Sequence, residues 1–235
     1  MAAAGGERIV EDASLRGRLH VFAERRDAGR RLAELLRSRV RGDETVLAIP
    51  SGGVPVGYEI ARALSLTLDL VIVRKMQIPF NPEAGFGAVD PEGVRVVNEE
   101  MLRGLGLTGE EVEEQARRAL AAVRQRSLAF RGGGAAPELG GAAVIVVDDG
   151  LASGYTMLAA VGYVRRRGAR GVSVAVPTAS RRTAEFIARE ADLLVCPNIR
   201  SGPRFAVADA YQSWHDLSDG EVLSLLRKYQ SEKGG

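Results

Sequence analysis

Cysteine and histidine are scarce in this sequence of 235 residues, which holds one cysteine, Cys196, and two histidines, His20 and His215. A single cysteine excludes an internal disulfide framework and any zinc site built from several cysteines. Neither histidine has a second ligand at the spacing of a metal site, and Cys196 ends an apolar segment in which it is typical of inert packing. Aromatic residues make up 5% of the chain, so we do not expect stacked rings to organise the function.

Charge of one sign and long apolar segments are also lacking. The 32 basic and 30 acidic side chains leave a net charge of +2, which is too small for the strong field of a nucleic-acid-binding protein. Every apolar run is far shorter than the ~18–20 residues that cross a bilayer. Residues 1–6 show no basic segment leading into an apolar one. The sequence therefore predicts a cytoplasmic protein with no nucleic-acid partner and no membrane association.

What the sequence does contain is an alternation of short apolar runs and helical patterns. Apolar runs typical of buried strands occupy residues 45–49, 68–73, 143–148, 171–176 and 192–196. Helical spacing or capping residues predict helices that begin near Asp27, Val54, Thr108, Tyr155, Arg181 and Ser218. This alternation indicates a single α/β domain, with a mostly parallel twisted sheet flanked by helices. We place the domain at residues 21–235, after a loose lead-in over residues 1–20 that runs into a short strand near 18–22.

One long segment breaks this alternation. Residues 76–95 show no sustained period and contain four glycines or prolines between positions 79 and 87. We expect a flexible loop here, with a small strand or hairpin near residues 88–97. Long structureless stretches inside a compact domain often act as lids over a site.

The strongest functional signal lies at residues 144–156, Val-Ile-Val-Val-Asp-Asp-Gly-Leu-Ala-Ser-Gly-Tyr-Thr. Four apolar residues predict a buried strand that delivers Asp148 and Asp149, the acid pair, at its end. Residues 150–156, the phosphate loop, combine two glycines and two hydroxyls with the start of a helix, and such a loop can cradle a phosphate through backbone N–H groups. Neighbouring carboxylates suit the vicinal hydroxyls of a ribose, so the pattern favours a ribose 5-phosphate site. It matches neither a Walker A loop nor the dinucleotide glycine motif.

Two further strand ends carry chemistry. Ser51, Gly52 and Gly53, the glycine turn, follow the first predicted strand, and Arg74 and Lys75 follow the second. Parallel sheets bind ligands at the carboxyl ends of their strands, where these groups are expected to lie. The alternative interpretations are a plain strand-to-helix turn and basic residues that solvate the end of a buried strand.

Residues 144–156 resemble the phosphoribosyl pyrophosphate (PRPP) signature of the type I phosphoribosyltransferases. The resemblance extends from residues 22–33 to about Trp214 and looks closest to a subgroup of uncharacterised bacterial and archaeal members. Motifs of that subgroup are present as Gly52-Gly53-Val54, Val73-Arg74-Lys75, Asn81-Pro82-Glu83 and Gly87-Ala88-Val89.

The resemblance implies a role for each motif. The acid pair would hold the ribose 2′ and 3′ hydroxyls and contact a metal ion indirectly, and the glycine turn would approach the pyrophosphate. Arg74 and Lys75 would neutralise pyrophosphate charge and, with the acid pair, form the catalytic set. Residues 76–95 would close over the reaction, and a small C-terminal hood at about 203–216 would select the acceptor base through Phe205 and Tyr211. The phosphate loop would wrap the 5-phosphate with Gly150, Leu151, Ala152, Ser153, Gly154, Tyr155 and Thr156.

One position departs from the subgroup. Position 51 is Ser, where the subgroup more often has Arg, so one guanidinium contact to the pyrophosphate is missing. Arg74 and Lys75 would then carry that charge alone.

The function implied by the resemblance is a Mg²⁺-dependent transfer of ribose 5-phosphate from PRPP to a nitrogenous base, by a homodimer. An alternative is a PRPP- or nucleotide-sensing regulator of the same fold without turnover. Residues 1–26 are too short and irregular for a helix-turn-helix, and Arg74-Lys75 with the long loop favours the enzyme. A sugar-phosphate phosphatase or kinase is a weaker hypothesis, because the chain lacks a nucleophile motif and a nucleotide loop.

Overall fold

Apolar strands alternate with amphipathic helices along the chain. The computed structural model describes residues 8–233, except for the side chains of residues 82 and 83. The strands are β1 (Ile9–Val10), β2 (Thr45–Ala48), β3 (Thr67–Leu70), β4 (Arg74–Ile78), β5 (Asn81–Val89), β6 (Arg95–Val97), β7 (Ala143–Val147), β8 (Gly171–Ala175), β9 (Thr178–Ser180), β10 (Leu193–Val195) and β11 (Asn198–Arg200). The helices are α1 (Arg25–Leu36), α2 (Gly53–Leu64), α3 (Glu99–Leu105), α4 (Gly109–Arg131), α5 (Tyr155–Arg166), α6 (Arg181–Glu190) and α7 (Asp219–Lys233), with a 3₁₀ turn at Val207–Ala210.

The central sheet has six strands in the order β1-β10-β8-β7-β2-β3, and every neighbouring pair is parallel. From β2 the chain moves to β3 on one side, and it later returns to β7 on the other side of β2. The strand order therefore reverses between β2 and β7. In open parallel sheets the crevice outside such a reversal is where ligands bind.

Apolar side chains cover both faces of this sheet. Helices α5 and α6 pack on one face through residues such as Met157, Val161 and Ile187, all fully buried. Helices α1, α2 and α7 pack on the other face, where Leu32, Ile60 and Val222 are fully buried. The predicted fold class, a mostly parallel α/β sheet flanked by helices, is confirmed. None of the helices within residues 8–233 combines the length and the apolar character needed to cross a membrane.

The predicted lead-in differs from the structure. Residues 18–22 do not form a strand, and Phe22 makes only a single parallel bridge to Tyr211. The strand lies earlier, at β1, where two residues add to the sheet edge beside β10. Two residues are too few for any periodic pattern, so this strand could not be predicted from the sequence. Residues 1–7 of the lead-in lie outside the described part of the chain.

The loop predicted at residues 76–95 is wrong, because β4, β5 and β6 form an antiparallel sheet there. The hairpin expected near residues 88–97 is confirmed, since the end of β5 pairs with β6. Met76, Ile78 and Phe86 are buried against Ala116 and Ala119 of α4. The glycines that suggested a loop serve close packing instead. A Cβ on Gly87 would lie 2.4 Å from the carbonyl oxygen of Val96, and one on Gly85 would lie 2.2 Å from Lys75 Cγ. The strand predicted at residues 68–73 is β3, which ends at Leu70, three residues earlier than predicted.

Candidate functional site

The site lies at the reversal of strand order, where β2 and β7 end side by side. The amide of Ile49 donates to the carbonyl oxygen of Val147 at 2.8 Å, which aligns the two ends. The glycine turn therefore lies against the acid pair. A Cβ on Gly53 would lie 2.5 Å from the oxygen of Val147, and one on Gly52 would lie 1.9 Å from Oδ2 of Asp149. Only glycine allows this approach at either position.

Both residues of the acid pair are half-buried, and the charges around their two carboxyl groups differ. Burial and the nearby charge of Asp149 raise the pKa of Asp148 well above its usual value. Burial also raises the pKa of Asp149, but the guanidinium of Arg25 opposes that rise. The amide of Asp149 donates to Oδ1 of Asp148 at 2.8 Å. Asp149 is thus the member that keeps its charge more readily, and Asp148 is the one that gains most from a cation or a hydroxyl donor.

Arg25 is a site residue that the sequence did not indicate. Its Nε donates to Oδ2 of Asp149 at 2.8 Å, and its Nη1 donates to the carbonyl oxygen of His215 at 2.8 Å. The guanidinium lies 3.7 Å from the ring centroid of Trp214. Arg25 and Asp149 are 124 positions apart and share no local motif, so only the fold brings them together. Arg25 thereby fixes one carboxylate oxygen of Asp149 and, through its contacts with residues 214 and 215, links the predicted hood to α1.

The phosphate loop is pinned at its edges and open in its middle. Leu151 is buried, and its amide donates to the carbonyl oxygen of Thr178 at 2.9 Å. The hydroxyl of Thr183 donates to the carbonyl oxygen of Ala152 at 2.7 Å. Gly154 adopts φ +84° at the start of α5, a conformation that favours glycine. Within residues 8–233 the amides of Ala152, Ser153 and Gly154 donate to no protein oxygen. Three unengaged N–H groups at a helix N-terminus form an anion cradle.

A cavity of about 240 Å³ lies above this loop and extends to the antiparallel sheet. Its walls come from the phosphate loop itself and from one face of the β4–β5 hairpin, which contributes Lys75, Gly85 and Gly87. The Lys75 side chain crosses Gly85, where a Cβ would collide with it. The structure therefore brings Lys75 to the phosphate loop, a contact that could not be predicted from the sequence.

Arg74 lies on the opposite face of β4, because successive side chains of a strand alternate. It shares that face with Met76 and Ile78, which pack against α4. Burial lowers the pKa of the half-buried Arg74, and the charge of Arg126 lowers it further. Across residues 8–233, the side chain of Arg74 forms neither a hydrogen bond nor an ion pair. A half-buried cation in this state is suited to an anionic ligand.

The glycine turn also has unengaged donors and a neighbour that the sequence missed. The amides of Ser51 and Gly52 donate to no oxygen of the described chain. Arg126 of α4 donates from Nη2 to the hydroxyl oxygen of Ser51 at 3.2 Å and to Oδ1 of Asp219 at 2.7 Å. Ser51 and Arg126 are 75 positions apart, and Arg126 lies in a strongly charged helix, where the sequence offered no reason to single it out.

The two residues predicted to contact an acceptor base lie in different surroundings. Tyr211 is 2% exposed, its ring lies between Phe22 and Trp214, and its hydroxyl donates to the carbonyl oxygen of Asp149 at 2.6 Å. Phe205 is half-buried, with the Arg200 guanidinium 4.3 Å from its ring centroid. Trp214 is 37% exposed and stacks on the Arg25 guanidinium, which pairs with Asp149. The base-binding roles of Phe205 and Tyr211 stay predictions.

No group of three or more histidine, cysteine or acidic residues is arranged to hold a metal ion within the described chain. The acid pair supplies two carboxylates. Mg²⁺ is commonly bound by one or two carboxylates together with substrate phosphates, so the acid pair fits a Mg²⁺ ion that arrives with a phosphorylated ligand.

The fold and the site together define an α/β protein with an anion cradle and a pair of carboxylates at the point where the strand order of its sheet reverses. A glycine turn contacted by the Arg126 guanidinium lies at the same point. Residues 22–209 match the phosphoribosyl transferase domain family. The chain belongs to the phosphoribosyltransferase family, as its sequence motifs indicated.

Particular relatives agree with this assignment. Curated proteins from two strains of Mycobacterium tuberculosis, each named "Putative phosphoribosyl transferase", are 38% identical to the chain over 210 residues. The match covers 88% of this chain and 47% of each relative, so the chain spans about half the length of these relatives. The crystal structure of TT1426 from Thermus thermophilus is 35% identical, with a TM-score of 0.73, and is covered to 98%, against 88% of this chain.

Proposed function

We propose that this protein transfers ribose 5-phosphate from PRPP to a nitrogenous base and releases pyrophosphate. The observation that carries the proposal is the meeting of three different binding groups at the end of β2 and β7. These are the acid pair, the amides of the phosphate loop that donate to no oxygen of residues 8–233, and the glycine turn, which contacts Arg126, the neighbour of Arg74. A diol, a phosphate and a pyrophosphate are the three polar parts of PRPP, and each has a chemically matching partner.

The acid pair would accept hydrogen bonds from the ribose hydroxyls. Arg25 already occupies Oδ2 of Asp149, so Asp148 and the remaining oxygen of Asp149 are the acceptors left for the sugar. Because Arg25 fixes the carboxylate, the ribose would be held in one orientation. Orientation of this kind lowers the entropic part of a reaction barrier.

The phosphate loop and Lys75 would hold the 5-phosphate, since both line the same cavity. The glycine turn and Arg74 would receive the pyrophosphate through the amides of Ser51 and Gly52 and through the guanidinium. This division refines the sequence expectation, in which Arg74 and Lys75 both served the pyrophosphate, and it follows from their positions on opposite faces of β4.

Breaking the bond from the ribose C1 to pyrophosphate leaves positive charge on the sugar and negative charge on the leaving group. The acid pair would stabilise the first and Arg74 the second, through groups that are already in place. No covalent protein nucleophile is required. A Mg²⁺ ion, held by the acid pair together with substrate oxygens, would supply further neutralisation of the pyrophosphate charge.

The acceptor would enter beside Trp214, Tyr211 and Phe205, in the predicted hood. The proposal includes a nitrogenous acceptor base, assembly as a homodimer and location in the cytoplasm.

We test the binding step first, by thermal unfolding with PRPP in the presence and absence of Mg²⁺. A ligand at 100 times its Kd stabilises the folded state by about 2.7 kcal/mol, which raises the Tm by a few degrees for a chain of this size.

The double variant Asp148→Asn/Asp149→Asn should lose this Tm shift. Glu99→Gln/Glu100→Gln is the matched control, because it removes two adjacent carboxylates that are exposed at the start of α3. A Mg²⁺-dependent shift in the wild type and the control, followed by pyrophosphate release when bases are added, supports the proposal. Binding without release with any base would favour the regulator, and no shift with PRPP would contradict both.

A further inference from the structure

Arg126 lies where helix α4 passes the glycine turn. Its Nη2 donates to the Ser51 hydroxyl oxygen at 3.2 Å and to Oδ1 of Asp219 at 2.7 Å, while its side chain is 22% exposed. Both contacts use the same nitrogen. Over residues 8–233 no hydrogen bond engages Nη1 or Nε, so two edges of the guanidinium are available to an additional acceptor.

Arg74, on β4, lies near Arg126. Its face of the strand packs against α4, and the charge of Arg126 is close enough to lower the pKa of Arg74. Two guanidiniums from separate elements are thus held near one another, with Asp219 as the carboxylate that partly offsets them. Like charges placed together at a half-buried site cost stability, and a bound anion with several charges removes that cost.

The turn itself supplies matching donors. The amides of Ser51 and Gly52 donate to no oxygen of the chain as described, and Ser51 offers a hydroxyl that is already oriented by Arg126. A planar guanidinium binds two oxygens of a phosphate group at once. The cluster therefore brings the Arg126 guanidinium, two amides and one hydroxyl together beside the acid pair, with Arg74 near Arg126.

We propose that Arg126 binds the pyrophosphate group of PRPP and acts with Arg74 from two sides of the glycine turn. Helix α4 thereby supplies a guanidinium at a turn whose own residue 51 is a serine. Asp219 neutralises Arg126 while the site is empty. The identity of the anion rests on the proposed function, whereas the presence of an anion site at this turn rests on the geometry alone.

The experiment compares three ligands by isothermal titration calorimetry: inorganic pyrophosphate, PRPP and ribose 5-phosphate, which lacks the pyrophosphate. The variants are Arg126→Gln and Arg126→Lys, with Arg124→Gln as the matched control, because Arg124 is exposed on the same helix. Arg126→Gln should weaken pyrophosphate and PRPP at least tenfold and leave ribose 5-phosphate within about twofold. Arg126→Lys should fall between, and Arg124→Gln should match the wild type.

Unchanged pyrophosphate affinity in Arg126→Gln would overturn the inference and leave this residue as a structural tie between α4, the glycine turn and α7. An equal loss for all three ligands would indicate general damage, which an altered Tm without ligand would reveal independently. Arg126→Lys then decides, because it keeps the charge, and an equal loss of all three ligands in that variant too would contradict the inference. A wild type that binds pyrophosphate but neither PRPP nor ribose 5-phosphate would refute the proposed function without refuting the role of Arg126. A wild type that does not bind pyrophosphate would refute that role.

Discussion

At the proposed phosphate end of the site, seven consecutive residues form one loop, and the amides that donate to no oxygen of residues 8–233 come from neighbours in sequence, Ala152 to Gly154. At the proposed pyrophosphate end, the groups come from three separate elements: the glycine turn after β2, Arg74 on β4 and Arg126 on α4. The first end is defined by local backbone geometry. The second exists only when β2, the antiparallel sheet and α4 are packed together, so it should be more sensitive to changes in packing.

The largest effect is expected at Gly53, where the second end is packed against the first. A Cβ there would lie 2.5 Å from the carbonyl oxygen of Val147 and 3.0 Å from Cα of Asp148, both backbone atoms. Backbone at the end of two central strands cannot move away easily. Gly53→Ala should therefore lower the free energy of unfolding by about 3 kcal/mol, measured by chemical denaturation.

Gly104→Ala is the control for this change. Gly104 lies in α3, and a Cβ there meets nothing within 4 Å. The same substitution should be neutral or stabilising by up to about 1 kcal/mol, because alanine is favoured over glycine inside helices. Equal stability of Gly53→Ala and the wild type would show that the two strand ends are not tightly packed.

This difference between the two ends also explains what the sequence could predict. The acid pair and the phosphate loop are contiguous, so one stretch of 13 residues revealed their strand, their glycines and their hydroxyls together. Arg25 reaches Asp149 across 124 positions and Arg126 reaches Ser51 across 75. Neither contact leaves a local pattern. The parallel arrangement of the central strands followed from their alternation with helices, which is also local, whereas their order became visible only in the fold.

The hairpin expected near residues 88–97 is present as the end of β5 and β6, whereas β4 and the first part of β5 were missed for a related reason. Gly85 and Gly87 of β5 suggest a turn when each is considered alone, but they are glycine because Lys75 and Val96 lie against them. Such close approaches become visible only after the strands are paired. For the same reason, the sequence could place Arg74 and Lys75 at one strand end but could not separate their two faces.

The two faces of β4 should differ in which ligand they bind. Lys75→Gln should weaken ribose 5-phosphate binding about tenfold, because the lysine lines the cavity above the phosphate loop and a hydrogen bond to a charged group contributes about 1.5 kcal/mol or more. Its affinity for inorganic pyrophosphate should stay within about twofold. Both affinities are measured by isothermal titration calorimetry.

Arg74→Gln is the mirror control, since it removes a neighbouring cation from the opposite face of the same strand. It should lose pyrophosphate affinity and keep ribose 5-phosphate affinity. If the two variants lost both ligands equally, Arg74 and Lys75 would serve one common anion site, as the sequence alone suggested, and the division into two ends would be wrong.

The smallest effect concerns stability at the acid pair. Burial and the charge of Asp149 raise the pKa of Asp148 above its ordinary value of 3.8, so the folded protein binds this proton more tightly than the unfolded chain does. Stability is then lost as the pH rises from about the unfolded pKa through the raised folded pKa. Functional sites often keep such costly charges because the ligand needs them.

Asp148→Asn should remove this cost while retaining an oxygen for the amide of Asp149. The variant should equal the wild type in stability below about pH 4 and exceed it at neutral pH by about 1 kcal/mol, a Tm increase of a few degrees. Asp149→Asn should do the opposite at neutral pH, because it leaves the buried Arg25 guanidinium without its carboxylate. Thermal unfolding of both variants from pH 4 to 8 measures the two trends. A wild type more stable than Asp148→Asn at neutral pH would mean that the charge of Asp148 is already satisfied by the protein, and that the acid pair is not held ready for a ligand.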